Sequence, residues 1–274
     1  MPEILALLPM LALLLAIGAF AGVMAGLLGV GGGIILVTAF FYTFAALGYG
    51  GDQLMQICLA TSLATITVTS TRSVLAHNKR GAVDWAILKS WAPGIAIGAV
   101  IGVLIASNLR TSTLQAIFGV LGIIVGVYLA FGRETWRLGA QMPTGAPRAA
   151  LSPTLGFMSV LMGIGGGSFG VPLMTLYGLP IHRAVATAAG FGLIIAIPST
   201  IGFLFVEIAP ANRPPFSIGA VNLVAFAIII SMTIFTAPLG ARLAHAMDPK
   251  PLKRTFAFFL ILVAFNMLRR AAGY

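Results

Sequence analysis

Apolar residues fill most of the chain and fall into ten segments separated by short polar stretches. The segments cover residues 3–28, 33–47, 54–76, 82–106, 113–131, 150–164, 168–178, 183–206, 219–244 and 252–270. Several of them reach the roughly 20 residues that a helix needs to cross the core of a bilayer. The second, sixth and seventh are shorter, so we expect half-helices that meet near the midplane. The pattern predicts an all-α, polytopic membrane protein with about eight full spans.

Two glycine-rich stretches interrupt the apolar pattern. Residues 29–33 read GVGGG and residues 163–167 read GIGGG. A glycine inside a helix costs roughly 1 kcal/mol relative to alanine, so each stretch predicts a helix break. Broken backbone at membrane depth must be buried in protein or line a wet cavity, because an unpaired amide in hydrocarbon costs several kcal/mol. The breaks are therefore candidate functional sites.

The glycine breaks are one of three matches that recur in the same order in both halves. The other two are LATS at 59–62 against VATA at 185–188, and Leu114 with Phe118 against Leu252 with Phe256. We interpret the matches as an internal duplication, with a first membrane repeat at 1–131, a cytoplasmic linker at 132–150 and a second repeat at 151–274. Each repeat has about five helical elements, and because five is odd the second repeat must be inverted. Whether the glycine segments cross the membrane or form re-entrant hairpins is left open.

The net charge of +10 gives information about the membrane topology of the chain and not about a nucleic-acid partner. In a soluble protein it would suggest a nucleic-acid partner, but here the basic residues lie in short loops, and we expect none. If Lys79 and Arg80 are cytoplasmic, the linker is cytoplasmic too, in agreement with the positive-inside rule; Arg269 and Arg270 are the exception. The first segment carries Glu3 and no preceding basic residue, so we expect a retained helix rather than a signal peptide. The expected location is a bacterial inner membrane.

Residues suited to bond-making chemistry are scarce. Cys58 is the single cysteine, the three histidines are scattered, and no Walker A, HExxH or GxSxG pattern occurs. No acidic residue lies deep in an apolar segment, which leaves an acidic proton relay without a carrier. We therefore expect neither an enzyme, nor a cofactor, nor a metal site.

The breaks themselves suit an anion. A helix that begins after a glycine break starts with free amides and a partial positive charge, and two such helices from opposite sides could hold an anion. The candidate residues are Gly31, Gly32, Gly33, Gly165, Gly166 and Gly167. The alternative is that the glycines only permit close helix packing, which is common in membranes.

A polar stripe on the segment 54–76 suggests a path to that site. Thr61, Thr65, Thr69 and Arg72 recur at spacings of four, four and three, which places them on one side of a helix. Hydroxyls in membrane helices also bond to their own turn, and Arg72 could extend to the surface instead. Arg183, after His182, is a further pathway candidate, with an interfacial cap as its alternative.

Taken together, these motifs resemble the TauE/SafE transporters, a family of sulfite and organosulfonate exporters and related permeases. The resemblance lies in the first GxGGG, ATSL at 60–63, the basic linker, GIGGGSFGVPLM at 163–174 and AVAT at 184–187. It implies a secondary transporter that exports small sulfur-containing or organic anions, such as sulfite or sulfoacetate. Transport would proceed by alternating access around a midplane site between the repeats. A passive anion channel, or an uptake permease for small carboxylates, is the alternative; a membrane enzyme is disfavoured.

The resemblance also implies which side chains join the glycines at the substrate. These are Thr61, Ser62 and Thr187. Thr65 and Ser168 are further candidates for the substrate site, and Thr69, Arg72 and Arg183 are candidates along the pathway. Two positions depart from the family pattern: Thr38 stands where proline is frequent, and Ala188 replaces a serine. The expected partners are a small anion and the lipid bilayer, and a homodimer is left open.

Overall fold

The computed structural model describes residues 2–28, 32–49, 51–132, 136–244, 246 and 250–273, and this part of the chain contains ten α-helices. They are α1 (Pro2–Leu28), α2 (Gly33–Ala46), α3 (Leu54–Asn78), α4 (Trp85–Ala106), α5 (Thr111–Phe131), α6 (Gly145–Leu161), α7 (Gly167–Leu176), α8 (Ile181–Leu204), α9 (Leu223–Ala244) and α10 (Lys250–Ala271). Five of them, α3, α4, α5, α8 and α9, are long and apolar enough to cross a membrane. The all-α, polytopic fold class is confirmed.

The structure differs most from the prediction at the start of α6 and just before α9. Helix α6 begins at Gly145, five residues before the predicted apolar segment, because Pro147 and Arg148 occupy its first turn and make it look like loop. A proline is tolerated there, since the first amides of a helix have no intrahelical partner. Before α9 the chain forms a small antiparallel hairpin, β1 (Ser217–Ile218) with β2 (Val221–Asn222), which the apolar pattern did not indicate.

Helix packing relates the two halves of the chain by an inversion. Helix α1 packs along α9, and the corresponding α6 packs along α4. Helices α5 and α10, which correspond to each other, run antiparallel: Gly119 lies against Leu268, and Gly126 lies against Ile261. Corresponding helices would run parallel if the repeats shared one orientation in the membrane. The predicted inverted arrangement therefore describes the packing; the repeat boundaries at 131 and 151 stay predictions.

The loops gather at two opposite ends of the helices. We call one end the linker face, where Leu138 N–H donates to the Leu176 carbonyl at 2.7 Å and Arg80 reaches the Arg242 carbonyl at 3.4 Å. The other end is the hairpin face, where the β-hairpin lies and the Gln53 amide donates to a loop carbonyl at 3.1 Å. The cytoplasmic location of the linker face rests on loop charge and stays a prediction.

Each glycine break is the tip of a re-entrant pair of helices. Helix α6 leaves the linker face and α7 returns to it; the 10 residues of α7 cover only about 15 Å. Helix α1 runs parallel to α9, with Gly18 against Ile229 and Gly26 against Ala237, so it leaves the hairpin face, to which α2 returns. The two re-entrant pairs therefore enter from opposite faces.

Candidate functional site

The tips of the two re-entrant pairs touch in the middle of the molecule. A Cβ atom on Gly33 would lie 2.6 Å from the Gly163 carbonyl oxygen and 2.7 Å from the Ile164 Cα atom. Gly163 has a φ of +61°, a left-handed conformation that glycine adopts most easily. The Ser62 hydroxyl donates to the same Gly163 carbonyl at 2.8 Å. The glycines thus allow backbone to meet backbone, and Ser62 joins the two repeats at that point.

The other predicted glycines lie in or beside these tips. Gly32, with a φ of +72°, stands directly before α2, and a Cβ atom there would lie 2.7 Å from the Ala21 carbonyl oxygen. Gly166 packs against Phe191, and its Cβ position is 2.8 Å from the Ala188 carbonyl oxygen. Gly165 and Gly167 are buried, and Gly31 lies outside the described residues. The alternative, that the glycines permit close packing, explains these short backbone contacts. It does not conflict with anion binding by the N-termini of α2 and α7.

Two helix N-termini converge where the tips meet. Helix α2 begins at Gly33, which lies against Gly163 and Ile164, and α7 begins at Gly167, three residues after Ile164. The first amides of both helices have no intrahelical partners. Each end carries a partial positive charge. In the part of the chain that the structure describes, Asp52, Asp84 and Glu207 all lie outside the helices, at the two faces. No described carboxylate therefore neutralises the centre.

Ser168 has a hydroxyl without a hydrogen-bond partner among the described residues, as does Ser159 near the end of α6. Ser168 lies in the first turn of α7 and is 1% exposed, and its Oγ atom contacts no donor or acceptor among the described residues. Burying an unpaired hydroxyl costs about 1–3 kcal/mol, so such a group is expected to have a ligand or a functional role. Ser168 is the side chain that most directly suits a bound anion.

Thr61 and Thr187 each accept a hydrogen bond from the cap residue that precedes a helix of the other repeat. The Asn222 N–H donates to the Thr61 Oγ1 atom at 3.0 Å, and the Asp84 N–H donates to the Thr187 Oγ1 atom at 2.9 Å. Asn222 caps α9 through the Ala225 amide, as Asp84 caps α4. Sequence reasoning paired the threonines but missed Asp84 and Asn222 as their partners, although an Asp or Asn before an apolar segment is a known cap signal.

The remaining stripe residues bond within their own helix. Thr65 donates to the Thr61 carbonyl at 2.9 Å, and Thr69 donates to the Thr65 carbonyl at 2.7 Å. This is the alternative that the sequence analysis left open, and it satisfies both hydroxyl protons. A role for these threonines in substrate contact stays a prediction.

The predicted pathway arginines lie at the surface. Arg72 is exposed, and its Nε atom donates to the Ile234 carbonyl at 3.4 Å. Arg183 pairs with Asp84 at 2.8 Å on the linker face, with 51% of its side chain exposed. The structure does not bring either guanidinium together with the helix tips, so their pathway roles stay predictions.

Comparison with known proteins agrees with this architecture. The family model described as Sulfite exporter TauE/SafE matches residues 14–267. A probable membrane transporter protein of Haemophilus influenzae is 31% identical over 255 residues, which cover 93% of this chain and 97% of that protein. A probable membrane transporter protein of Methanocaldococcus jannaschii is 25% identical over 267 residues, 97% of each chain. No solved structure matches. The chain is a membrane transporter, and it belongs to the TauE/SafE sulfite exporter family.

Proposed function

We propose that the protein is a secondary transporter that exports small sulfur-containing or organic anions, such as sulfite or sulfoacetate. The substrate binds where the two re-entrant tips meet. One observation carries the proposal: α2 begins against the tip that precedes α7, and the first turn of α7 holds Ser168, whose hydroxyl has no partner among the described residues.

The chemistry of this point favours an anion over a cation or a neutral solute. Free amides and the helix dipoles supply partial positive charge, and the described acidic residues lie at the two faces. A sulfite or sulfonate group presents three acceptor oxygens, which can take hydrogen bonds from two helix ends and from Ser168 together. In a low-dielectric centre such bonds are stronger than at a wet surface.

The hydrogen bonds between the repeats are of a kind that can exchange during a transport cycle. Ser62 joins the repeats through one hydrogen bond, and Thr61 and Thr187 each accept one more. A single hydrogen bond contributes only about 0.5–1.5 kcal/mol, so substrate binding energy suffices to replace one or two of them. Access could then alternate between the faces around a site that stays at the centre.

A ligand screen tests the substrate class. The purified protein is heated with sulfite, sulfate, sulfoacetate, taurine, thiosulfate or simple carboxylates. A ligand at about 100 times its dissociation constant should stabilise the folded protein by roughly 2.7 kcal/mol. Counterflow in proteoliposomes then distinguishes a carrier from a channel. Failure of every anion to stabilise the protein, or conductance that neither saturates nor shows counterflow, would contradict the proposal.

Replacing Ser168 by alanine separates binding from folding. Ser168→Ala should leave the unfolding temperature equal or higher, because it removes a buried unpaired hydroxyl. It should weaken anion binding about 10- to 150-fold, since a hydrogen bond to a charged group contributes about 1.5–3 kcal/mol. The matched control is Ser199→Ala, whose buried hydroxyl already donates to the Ile195 carbonyl at 2.7 Å; it should retain full affinity. Unchanged calorimetric affinity in Ser168→Ala would remove Ser168 from the site.

A further inference from the structure

Two clefts occupy equivalent places on the two faces. The linker-face cleft, of about 530 Å³, is lined by the first turns of α4, the end of α7 and residues 140–148. The hairpin-face cleft, of about 470 Å³, is lined by the first turns of α9, the end of α2 and part of α1. Since α9 corresponds to α4, α2 to α7 and α1 to α6, the clefts are related by the same inversion as the repeats.

Their linings differ in charge. The linker-face cleft contains Asp84, Ser90, Gln141, Thr144, Arg148 and Tyr177. The hairpin-face cleft is lined by leucines, phenylalanines and prolines with Thr43, Tyr49 and Asn222, and none of the described residues that line it is charged. The two routes toward the centre are therefore alike in position and unlike in how they would receive an anion.

Arg148 supplies the excess charge in the linker-face cleft. The Asp84 carboxylate is already paired with Arg183 at 2.8 Å. Arg148 is half-buried. Among the described residues, no carboxylate lies within 4.0 Å of its guanidinium and no group accepts a hydrogen bond from it; its backbone carbonyl accepts one from Ser152. A guanidinium that is always charged and has unused donors attracts a small oxyanion.

The linker-face cleft ends within one layer of side chains of the tips. Asp84 lines the cleft and donates its N–H to Thr187 at 2.9 Å. Trp91, also in the lining, stacks on Phe191 with ring centroids 6.3 Å apart, and Phe191 packs against Gly166. An anion bound by Arg148 in this cleft would therefore be separated from the proposed central site only by this layer of side chains.

We propose that the linker-face cleft is a loading subsite for the anionic substrate, with Arg148 as its charged contact. This inference rests on the proposed function and adds a second, face-specific position to it. The anion should half-saturate transport at a lower concentration from the linker face than from the hairpin face. Net direction is a separate matter, because a subsite changes apparent affinity on one side and supplies no driving force.

Side-specific kinetics test the subsite. In oriented proteoliposomes, Arg148→Gln should raise the half-saturating concentration of the screened anion roughly 3- to 10-fold from the linker face and leave it unchanged from the hairpin face. The difference from the parent should shrink as salt rises from 0.05 to 0.5 M in the assay, because the contact is partly exposed to solvent. Arg148→Lys should restore much of the loss.

Lys89→Gln is the matched control. Lys89 is exposed, lies on α4 at the same face and is absent from the lining, so its loss removes one positive charge without touching the cleft. An equal rise in Lys89→Gln, or an equal rise from both faces in Arg148→Gln, would overturn the subsite. Parent-like kinetics in Arg148→Gln would also overturn the subsite. If the parent protein still binds the anion in that case, the proposed central site is not contradicted. Absence of anion binding by the parent would instead remove the proposed function.

Discussion

At the scale of single residues, Thr61 and Thr187 show how two repeats can hold each other by equivalent bonds. Each threonine is fully buried, and each accepts a hydrogen bond from the backbone N–H of a helix cap that belongs to the other half. The cap side chain binds the first turn of its own helix at the same time. One threonine therefore fixes both the position and the start of a neighbouring helix.

Removing either hydroxyl should destabilise the protein to a similar extent. Thr61→Val and Thr187→Val each leave a buried N–H without an acceptor, which costs about 1–3 kcal/mol. Unfolding in detergent, followed by heat or denaturant, gives the measurement. Thr71→Val is the control, because the half-buried Thr71 hydroxyl only donates to its own helix at the Thr67 carbonyl. Parent-like stability of both Thr61→Val and Thr187→Val would show that these hydrogen bonds do not contribute to stability.

Residue-level prediction from sequence succeeded where a residue type has one dominant use. The glycine tips and the recurring threonines follow from composition and repetition. The acceptor role of Thr61 did not, because its donor, Asn222, is 161 residues away and only the fold brings the two together. Ser168 shows the reverse: its motif suggested a ligand, but only the packed structure shows that its hydroxyl has no partner among the described residues.

At the scale of helices, glycine allows α4 and α6 to approach closely. A Cβ atom on Gly98 would overlap the Pro153 carbonyl, and one on Gly156 would overlap the Ile95 carbonyl. Small residues at such contacts are the usual means of helix association in lipid, where apolar surface alone gives little preference. The inverted counterpart, α1 with α9, uses Gly26 and is built in the same way.

Filling this contact should separate the two helices. Gly98→Leu places a side chain against the backbone of α6 and should lower stability by at least 1–3 kcal/mol, roughly the usual effect of overpacking. Val100→Leu, two residues along on an exposed position of α4, places the same leucine side chain on the outer surface and should be neutral. Thermal unfolding of the two variants in one detergent makes the comparison. Equal unfolding temperatures would argue against close packing of α4 on α6.

Most helix boundaries could be predicted because apolar length dominates in a membrane. The exceptions arose where local chemistry overrides composition, as in the polar first turn of α6 and the hairpin before α9, where Phe216 and Gly219 take left-handed backbone angles. The charge exception at Arg270 also has a local cause. Its guanidinium stacks over the rings of Phe41 and Tyr42, at 5.8 and 5.2 Å from their centroids. Such a cation–π contact stabilises a positive charge at the hairpin face.

At the scale of the whole molecule, the charges on the two faces predict the orientation in the membrane. Lys79, Arg80, Arg137 and Arg148 lie at the linker face, which the positive-inside rule places in the cytoplasm. Cysteine labelling suits this protein, because its single cysteine, Cys58, is fully buried and gives little background. The described part of the chain offers exposed positions on both faces.

An impermeant maleimide should label the hairpin face of intact cells. Ala211→Cys, exposed beside the hairpin, should react at once, whereas Gln141→Cys, exposed in the linker, should react only after the membrane is permeabilised. The parent protein, with Cys58 alone, is the control. Labelling in the opposite order would invert the orientation and, with it, the side from which the Arg148 cleft loads.

The contact between the tips can form only after both halves of the chain have been synthesised. Ser62 and the Gly163 carbonyl that it binds are 101 residues apart in the chain. At a synthesis rate of about 5–20 residues per second, roughly 5–20 seconds pass between the insertion of one and the arrival of the other. During that interval the Ser62 hydroxyl lacks the Gly163 carbonyl that it binds in the finished fold, and Gly33 lacks the backbone against which it packs. Because a polar group without its partner is costly in hydrocarbon, we expect the nascent first half to stay with the insertion machinery until its inverted counterpart enters.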